Sequence, residues 1–151
     1  MTKRIFSKCI WGEVETLGDH GEAPDVALAT FIAEEDIEVI GVELQGYTVG
    51  LVDPGAGNSG LLETRIGVTS SPIGTPEGVI ARLTMQCWID ATLDKSVFGS
   101  KEVVVMFPEG KAMTVREEGV ITLSAGSISH QKGIQYLNGL VYIYYTKKNA
   151  R

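Results

Sequence analysis

The segment Asn138-Gly139-Leu140-Val141-Tyr142-Ile143-Tyr144-Tyr145-Thr146 decides the fold that this sequence predicts. Six apolar or aromatic residues stand in succession, preceded by an Asn-Gly pair that indicates a turn and followed by Lys147-Lys148. In an extended strand alternate side chains point to opposite faces, so both faces of this segment are apolar. Two apolar faces are typical of a central strand that is covered on one side by its own core and on the other by a second layer or another subunit.

The apolar residues of this strand are therefore the candidates for a subunit interface. A sandwich needs only one apolar face of the strand for its own core, which leaves the other face for a partner. The sequence leaves open which face is which. The six candidates are Leu140, Tyr142 and Tyr144 on one face and Val141, Ile143 and Tyr145 on the other.

The rest of the chain consists of short strand-like segments separated by turn signals. About eight to ten such segments follow one another, with turn residues about every 8 to 12 residues. The most ambiguous segment, residues 79–90, alternates apolar with polar residues, and we interpret it as a strand and not a helix. The pattern favours an all-β fold, an antiparallel β-sandwich, and eight principal strands in 151 residues fit an eight-stranded jelly roll.

Several local predictions accompany this fold. A break in the alternation at Ile40-Gly41 predicts a β-bulge. Residues 11–25 and residues 124–133 are rich in polar residues and glycine or serine, and we expect loops there. Residues 112–115 are expected to pair back on the strand that precedes them.

The length and composition predict one domain that spans residues 1–151. Residues 1–10 are expected to form an N-terminal arm or an edge strand of it. The apolar fraction of 44% and the charged fraction of 21% are those of an ordinary globular protein. No apolar run approaches the roughly 20 residues that span a bilayer, so we expect no membrane partner. Cys9 and Cys87 lie in apolar, strand-like surroundings, and we expect both to be small buried hydrophobic residues.

Charge is distributed unevenly along the chain, whose formal net charge is −6. Residues 1–8 carry three basic and no acidic side chains, residues 9–64 carry twelve acidic and no basic ones, and residues 95–151 carry eight basic against four acidic. This long acidic stretch argues against direct nucleic-acid binding, because such binding needs clustered lysine and arginine. Either the fold intermixes these charges, or unlike charges meet between subunits or on a partner.

No residue set in the sequence supports catalysis, a metal or a cofactor, and we expect a protein that is not an enzyme. His20 lies in an acidic loop that matches no calcium-binding pattern, and His130 stands between polar neighbours without a nucleophile motif. The glycine-rich residues 53–60 lack the Lys-Ser/Thr ending of a phosphate-binding loop. The acidic residues at 34–36 and 117–118 fall at predicted turns, where their charges are solvated.

Three segments resemble, in pattern, the single jelly-roll structural proteins of bacteriophages and archaeal viruses, of the decoration or minor capsid type. They are Thr-Phe-Ile-Ala at residues 30–33, Phe-Pro-Glu-Gly-Lys at 107–111 and Val-Tyr-Ile-Tyr-Tyr at 141–145. The resemblance covers about half of the chain. It implies a non-enzymatic subunit of the virion that forms a symmetric homo-oligomer, with a trimer favoured, and that contacts other capsid or virion proteins.

A second interpretation is a carbohydrate-binding or receptor-binding jelly-roll head. Aromatic side chains can stack on sugar rings, and Trp88 and Tyr136 are the candidates for this role. The alternative account of the aromatic residues is that they fill a core and an interface.

Overall fold

The structure, a computed structural model, describes six stretches of the chain: residues 3–18, 22–52, 60–71, 78–89, 97–129 and 133–148. Within these stretches the regular structure consists of nine β-strands. No helix long and apolar enough to cross a membrane occurs among the described residues. The strands are β1 (Phe6–Gly18), β2 (Glu22–Ile32), β3 (Ile37–Val52), β4 (Gly60–Ser71), β5 (Gly78–Ile89), β6 (Val97–Met106), β7 (Met113–Val115), β8 (Val120–Ser129) and β9 (Gly133–Lys147).

The strands form two antiparallel sheets. A five-stranded sheet has the order β1-β9-β3-β6, with β7 paired to β3, and a four-stranded sheet has the order β2-β8-β4-β5. The chain passes from one sheet to the other at most connections, so sequence neighbours such as β1 and β2 face each other across the core. This is the double-sheet arrangement of a jelly roll. The predicted all-β sandwich is confirmed, and residues 79–89 of the ambiguous segment belong to a strand, β5.

The last long strand, β9, lies in the middle of the five-stranded sheet, as the sequence predicts. It pairs along its length with β1 on one side and with β3 on the other. Leu137, Val141 and Ile143 on β9 are fully buried. Burying a side chain of this size stabilises the fold by about 1.5–3 kcal/mol. They pack in one core cluster with large side chains of both sheets, among them Val42, Leu44, Ile66, Val68, Ile121 and Leu123.

A row of glycines crosses the inner face of the five-stranded sheet. Gly139 on β9 pairs with Gly12 on β1 and with Gly46 on β3. A Cβ atom at Gly12 would lie 2.5 Å from the carbonyl oxygen of Leu28, and one at Gly46 would lie 2.6 Å from Cδ1 of Ile66. The glycines therefore make room for the facing sheet to approach.

The glycine row explains why one prediction is wrong. Asn138-Gly139 was expected to form a turn, but both residues lie inside β9. A Cβ at Gly139 would come within 3.2 Å of Cδ1 of Leu28. Glycine stands there because of the space that the opposite sheet occupies, and not because of a turn.

Two predicted loops are also largely strand. Residues 11–18 belong to β1, residues 22–25 to β2, and residues 124–129 to β8. Their polar residues are compatible with a strand because every second residue of a sandwich strand points to solvent. The middle residues of the first predicted loop, 19–21, lie outside the described part of the chain.

The predicted bulge is confirmed, whereas one predicted pairing is wrong. Val39 pairs with Tyr145 and Gly41 with Tyr144, so Ile40 is the extra residue on β3. The strand β7 was expected to pair with the strand before it, but it pairs with the start of β3. It can do so because β6 ends opposite Gly41, which leaves the edge of β3 open for a second partner.

The glycine row gives a first prediction about stability. We expect Gly12→Ala to lower the free energy of unfolding by about 1–3 kcal/mol, because the carbonyl of Leu28 cannot rotate away from the added methyl group. The matched control is Gly67→Ala on β4, where the nearest atoms to a new Cβ lie 3.8 Å away. That control should be neutral or stabilising by about 0.5–1 kcal/mol. Urea denaturation of both variants measures the difference, and equal free energies of unfolding would contradict the close approach.

Candidate functional site

The outward-facing residues of the five-stranded sheet form the most unusual surface of the described chain. They include four rows that cross β1, β9, β3 and β6 in that order. We call these rows together the aromatic face. The rows are Ser7, Tyr144, Gly41 and Met106; Cys9, Tyr142, Glu43 and Val104; Trp11, Leu140, Gln45 and Glu102; and Glu13, Asn138, Tyr47 and Ser100.

Large apolar side chains on the aromatic face are open to solvent. Trp11 is 70% exposed, Met106 58%, Val104 56%, Tyr47 39% and Tyr142 37%. Contiguous exposed apolar surface on a protein generally marks a place where something else binds. The aromatic face is thus the candidate interaction surface of the chain.

The other sheet differs in its middle strands. There, β8 and β4 present small or polar residues outward, including Thr122, Ser124 and Thr69. The large exposed apolar residues described for that sheet, Val26, Ile32 and Val79, lie on its edge strands β2 and β5. The apolar character of the aromatic face is therefore not a general property of the surface of this sandwich.

The charges on the aromatic face are of one sign. Glu13, Glu43 and Glu102 lie in its four rows, and these rows contain no lysine or arginine. The hydroxyl of Tyr144 donates a hydrogen bond of 3.1 Å to Oε2 of Glu43. Burial of the Tyr144 ring, together with this hydrogen bond and the charge of Glu43, raises the pKa of its phenol above the usual value.

Basic residues gather instead at the end of the sandwich where β1 begins and β9 ends. Lys147 forms an ion pair of 2.9 Å with Glu35, which raises the pKa of its ammonium group. Lys3 lies 3.8 Å from Glu38, and the Arg4 guanidinium lies 5.0 Å from the ring centroid of Phe6. The fold thus brings part of the basic ends of the chain against part of its acidic stretch, which leaves the aromatic face acidic.

The inner face of β9 accounts for three of the six interface candidates. Val141 and Ile143 are fully buried in the core of the single chain. The ring of Tyr145 packs against the rings of Phe6 and Phe31, with centroids 5.6 and 5.7 Å away. These side chains already have partners within the chain, because β9 lies over the other sheet.

The other three candidates lie on the aromatic face. Tyr142 is among its exposed residues, and Leu140 and Tyr144 are half-buried. The sequence left open which face of β9 would meet a partner, and the aromatic face is the one that the core leaves uncovered. A subunit contact through Leu140, Tyr142 and Tyr144 stays a prediction.

Sequence reasoning missed several residues of the aromatic face. Cys9 was expected to be buried, but its thiol is exposed and not bonded to another cysteine. Trp11 was assigned to a loop, although it follows Cys9 at the spacing of two that residues on one face of a strand share. The side chain of Cys87, the second predicted buried cysteine, lies outside the described part of the structure.

A groove runs across the aromatic face above the glycine row. Its volume is about 590 Å³, and the backbone of Gly12, Gly139 and Gly46 forms its floor. The two rows that flank it combine aromatic rings with amide, hydroxyl and carboxylate groups. The other residues that line it are Trp11, Leu140, Gln45, Glu102, Lys101, Asn138, Tyr47 and Ser100.

The two residues proposed from the sequence for ligand binding do not come together. Tyr136 is half-buried on β9, whereas Trp88 is on β5 of the other sheet. The side chain of Trp88 lies outside the described residues. Tyr136 lies in the row next to that of Asn138 and Tyr47, and a ligand-binding role for Tyr136 and Trp88 stays a prediction.

The described residues also bear on the candidates for chemistry. No group of three or more histidine, cysteine, aspartate or glutamate residues that could hold a metal ion occurs among them. Asp36, one of the predicted solvated acids, accepts a hydrogen bond of 2.9 Å from the backbone N–H of Glu117 and so ties two turns together. The loop at residues 53–59, His20 and His130 lie outside the described part of the chain.

Comparisons with known proteins find no sequence relative. No protein-family model matches the chain, and no curated protein matches it significantly. Among solved structures, an Eiger TNF from S. frugiperda matches with a TM-score of 0.48 and 9% identity over 97% of this chain and 95% of its own. An infectious bursal disease virus protein matches with a TM-score of 0.43 and 10% identity over 95% of this chain and 37% of its own.

Viral capsid proteins recur among these structures. A capsid structure of a Helicobacter pylori bacteriophage matches with a TM-score of 0.35 and 13% identity over 94% of this chain and 93% of its own.

The hydrogen bond between Tyr144 and Glu43 gives a prediction in alkaline solution. Because the pKa of Tyr144 is raised, its contribution to stability is present below the ordinary phenol pKa of about 10 and is lost as the pH rises through the higher folded pKa. In an ultraviolet titration of the folded protein, one of the five tyrosines should ionise later than an ordinary phenol. Tyr144→Phe should remove that late step. A late step that survives in Tyr144→Phe would contradict the assignment.

Proposed function

We propose that this chain is a non-enzymatic assembly subunit, which forms a symmetric homo-oligomer through the aromatic face. The observation that carries the proposal is the contrast between the two sheets. Among the residues that the structure describes, the middle strands of the five-stranded sheet present large exposed apolar side chains, Tyr142 and Tyr47, and those of the other sheet do not. Covering such a face removes apolar surface from water, which is the main driving force of subunit association.

The first two rows of the aromatic face are the part best suited to a protein contact, and we call them the contact zone. Tyr142, Tyr144, Val104 and Met106 lie side by side there, and Met106 lies over Gly41. The one carboxylate of these rows, Glu43, already accepts the hydrogen bond of Tyr144. Interface cores are typically rich in aromatic residues and methionine and poor in charge.

The charges of the face favour one kind of symmetry. In a twofold dimer the same surface meets itself, so the acidic face of one copy would lie against the acidic face of another. Like charges brought together in this way oppose association. A contact between the aromatic face and a different surface of the next copy avoids this cost, and such contacts form a ring when the rotation between copies closes. A trimer is the ring that the resemblance to virion proteins implies.

Within this class, the finer proposal is a virion structural protein of the capsid decoration or minor capsid type. Two features support it: the jelly-roll strand order and the pattern resemblance of the sequence to single jelly-roll virion proteins. The partners would then be other copies of the chain and other capsid or virion proteins.

A matched pair of valines tests the assembly proposal. Val104, in the contact zone, and Val79, on the edge of the other sheet, are both 56% exposed. Val104→Asp should convert the oligomer to a monomer because it places a charge in an apolar contact, whereas Val79→Asp should leave the oligomer intact. Light scattering coupled to size-exclusion chromatography measures the mass of each variant.

Two outcomes would overturn the assembly proposal. One is a monomeric native protein across the concentration range of the experiment. The other is an oligomer whose mass is unchanged in Val104→Asp, since the contact would then lie elsewhere.

Cys9 provides an independent probe of the same contact. Its exposed thiol lies directly across from Tyr142 in the register of β1 and β9. In the oligomer we expect alkylation of Cys9 by iodoacetamide to be slow, because the partner covers the thiol. In Val104→Asp the reaction should be fast. Peptide mass spectrometry separates Cys9 from Cys87, and equal rates in the two proteins would argue against a covered face.

A further inference from the structure

The groove on the aromatic face has a chemistry different from that of the contact zone. The contact zone has one carboxylate, Glu43, which is hydrogen-bonded to Tyr144, whereas several amide, hydroxyl and carboxylate side chains lie beside the groove. Trp11 shares its row with Gln45, and Tyr47 pairs directly with Asn138. A contact between proteins does not require polar side chains among the rings. A ligand that has both apolar faces and hydroxyl groups does require them.

The two rings stand at opposite corners of the groove. Trp11 is on β1 and Tyr47 is on β3, two strands away and one row along. At the usual spacings of a sheet, their Cα atoms are separated by about 12 Å. The ring of Trp11 is the most exposed large apolar group of the described chain, at 70%. Rings at this separation suit the two ends of a short oligosaccharide, because the apolar face of a sugar stacks on an aromatic ring.

Polar side chains between the two rings can form hydrogen bonds with the hydroxyl groups of such a ligand. Gln45 and Asn138 each offer an amide oxygen and an amide nitrogen, and Ser100 offers a hydroxyl that both donates and accepts. All three project from paired strands of one sheet, which fixes their spacing. Hydroxyl groups on one ligand can therefore be recognised as donors and as acceptors at once.

Charge excludes an anionic ligand from the groove. Glu102 lines it, and Glu13 lies at the end of the row of Tyr47. The ammonium group of Lys101, whose residue also lines the groove, donates a hydrogen bond of 3.3 Å to the carbonyl oxygen of Thr84 on the other sheet. The charges directed over the groove are thus negative, which disfavours phosphate, nucleic acid and sialylated sugars.

We infer that the groove binds a neutral oligosaccharide, stacked on Trp11 and Tyr47 and hydrogen-bonded by Gln45, Asn138 and Ser100. The site goes beyond the assembly role and occupies different rows of the same face. A subunit of an assembly can carry such a groove while the contact zone is covered, and many copies in one particle would then bind a glycosylated surface with avidity.

The test begins with the native protein on a printed array of neutral, N-acetylated and sialylated oligosaccharides. The best-bound free oligosaccharide is then titrated in solution, where one site binds one ligand and avidity plays no part. Binding is followed by calorimetry and by the change in tryptophan fluorescence, which should be lost in Trp11→Ala. We expect binding to neutral sugars and weaker binding to their sialylated forms.

Two tyrosines of nearly equal exposure supply the matched variants. Tyr47, beside the groove, is 39% exposed, and Tyr142, in the contact zone, is 37% exposed. Tyr47→Ala and Trp11→Ala should each weaken binding about tenfold, a factor that corresponds to ~1.4 kcal/mol. Tyr142→Ala should bind the sugar as the native protein does, and Trp11→Phe should retain most of the affinity. Circular dichroism establishes that each variant is folded.

The outcomes separate this inference from the assembly proposal. The groove is overturned if the folded native protein binds no neutral sugar, if Trp11→Ala and Tyr47→Ala bind as well as the native protein, or if the sialylated form binds more tightly. Loss of the oligomer in Trp11→Ala with no sugar binding in the native protein would assign the groove to a protein contact instead. An oligomer lost in Val104→Asp with sugar binding intact supports both roles.

Discussion

The close approach of the two sheets at the glycine row is the constraint on which the rest of the structure depends. Gly12, Gly139 and Gly46 lie side by side because Leu28 and Ile66 of the facing sheet fill the space where side chains would be. A packed core tolerates neither voids nor added volume at such a place. The row fixes the registers of β1, β9 and β3 against one another, since a shift of one residue would put a side chain where only glycine fits.

That same register determines the outer surface. Because residues alternate between faces, fixing the glycines inward also fixes their neighbours Trp11, Leu140 and Tyr47 outward. The floor of the groove is therefore the reverse side of the glycine row. The contact zone begins in the next row along the same strands, so one register sets both surfaces. The position of β9 in the sheet therefore determines both the core packing and the aromatic face.

Charges of opposite sign are paired at one end of the sandwich but not within the four described rows of the aromatic face. The basic ends of the chain meet acidic partners within it, at Lys147 with Glu35 and at Lys3 with Glu38. Exposed pairs of this kind contribute little to stability, but they neutralise one end of the sandwich. The carboxylates of the aromatic face have no such neighbours in their rows, which is why its partners are expected to be neutral or basic.

The sequence by itself determined the fold class, the central position of β9 and the bulge at Ile40, because hydrophobic alternation is a local signal that survives in any sandwich. It also limited the candidates for a subunit interface to the two faces of one strand. Only the tertiary structure decided which face is buried, because that depends on the side from which the other sheet approaches. Tertiary packing also explains why Asn138-Gly139, an expected turn, is part of a strand. It likewise explains why Cys9 and Trp11 are exposed. These residues acquire their roles from neighbours that are distant in the chain, and no local pattern contains those neighbours.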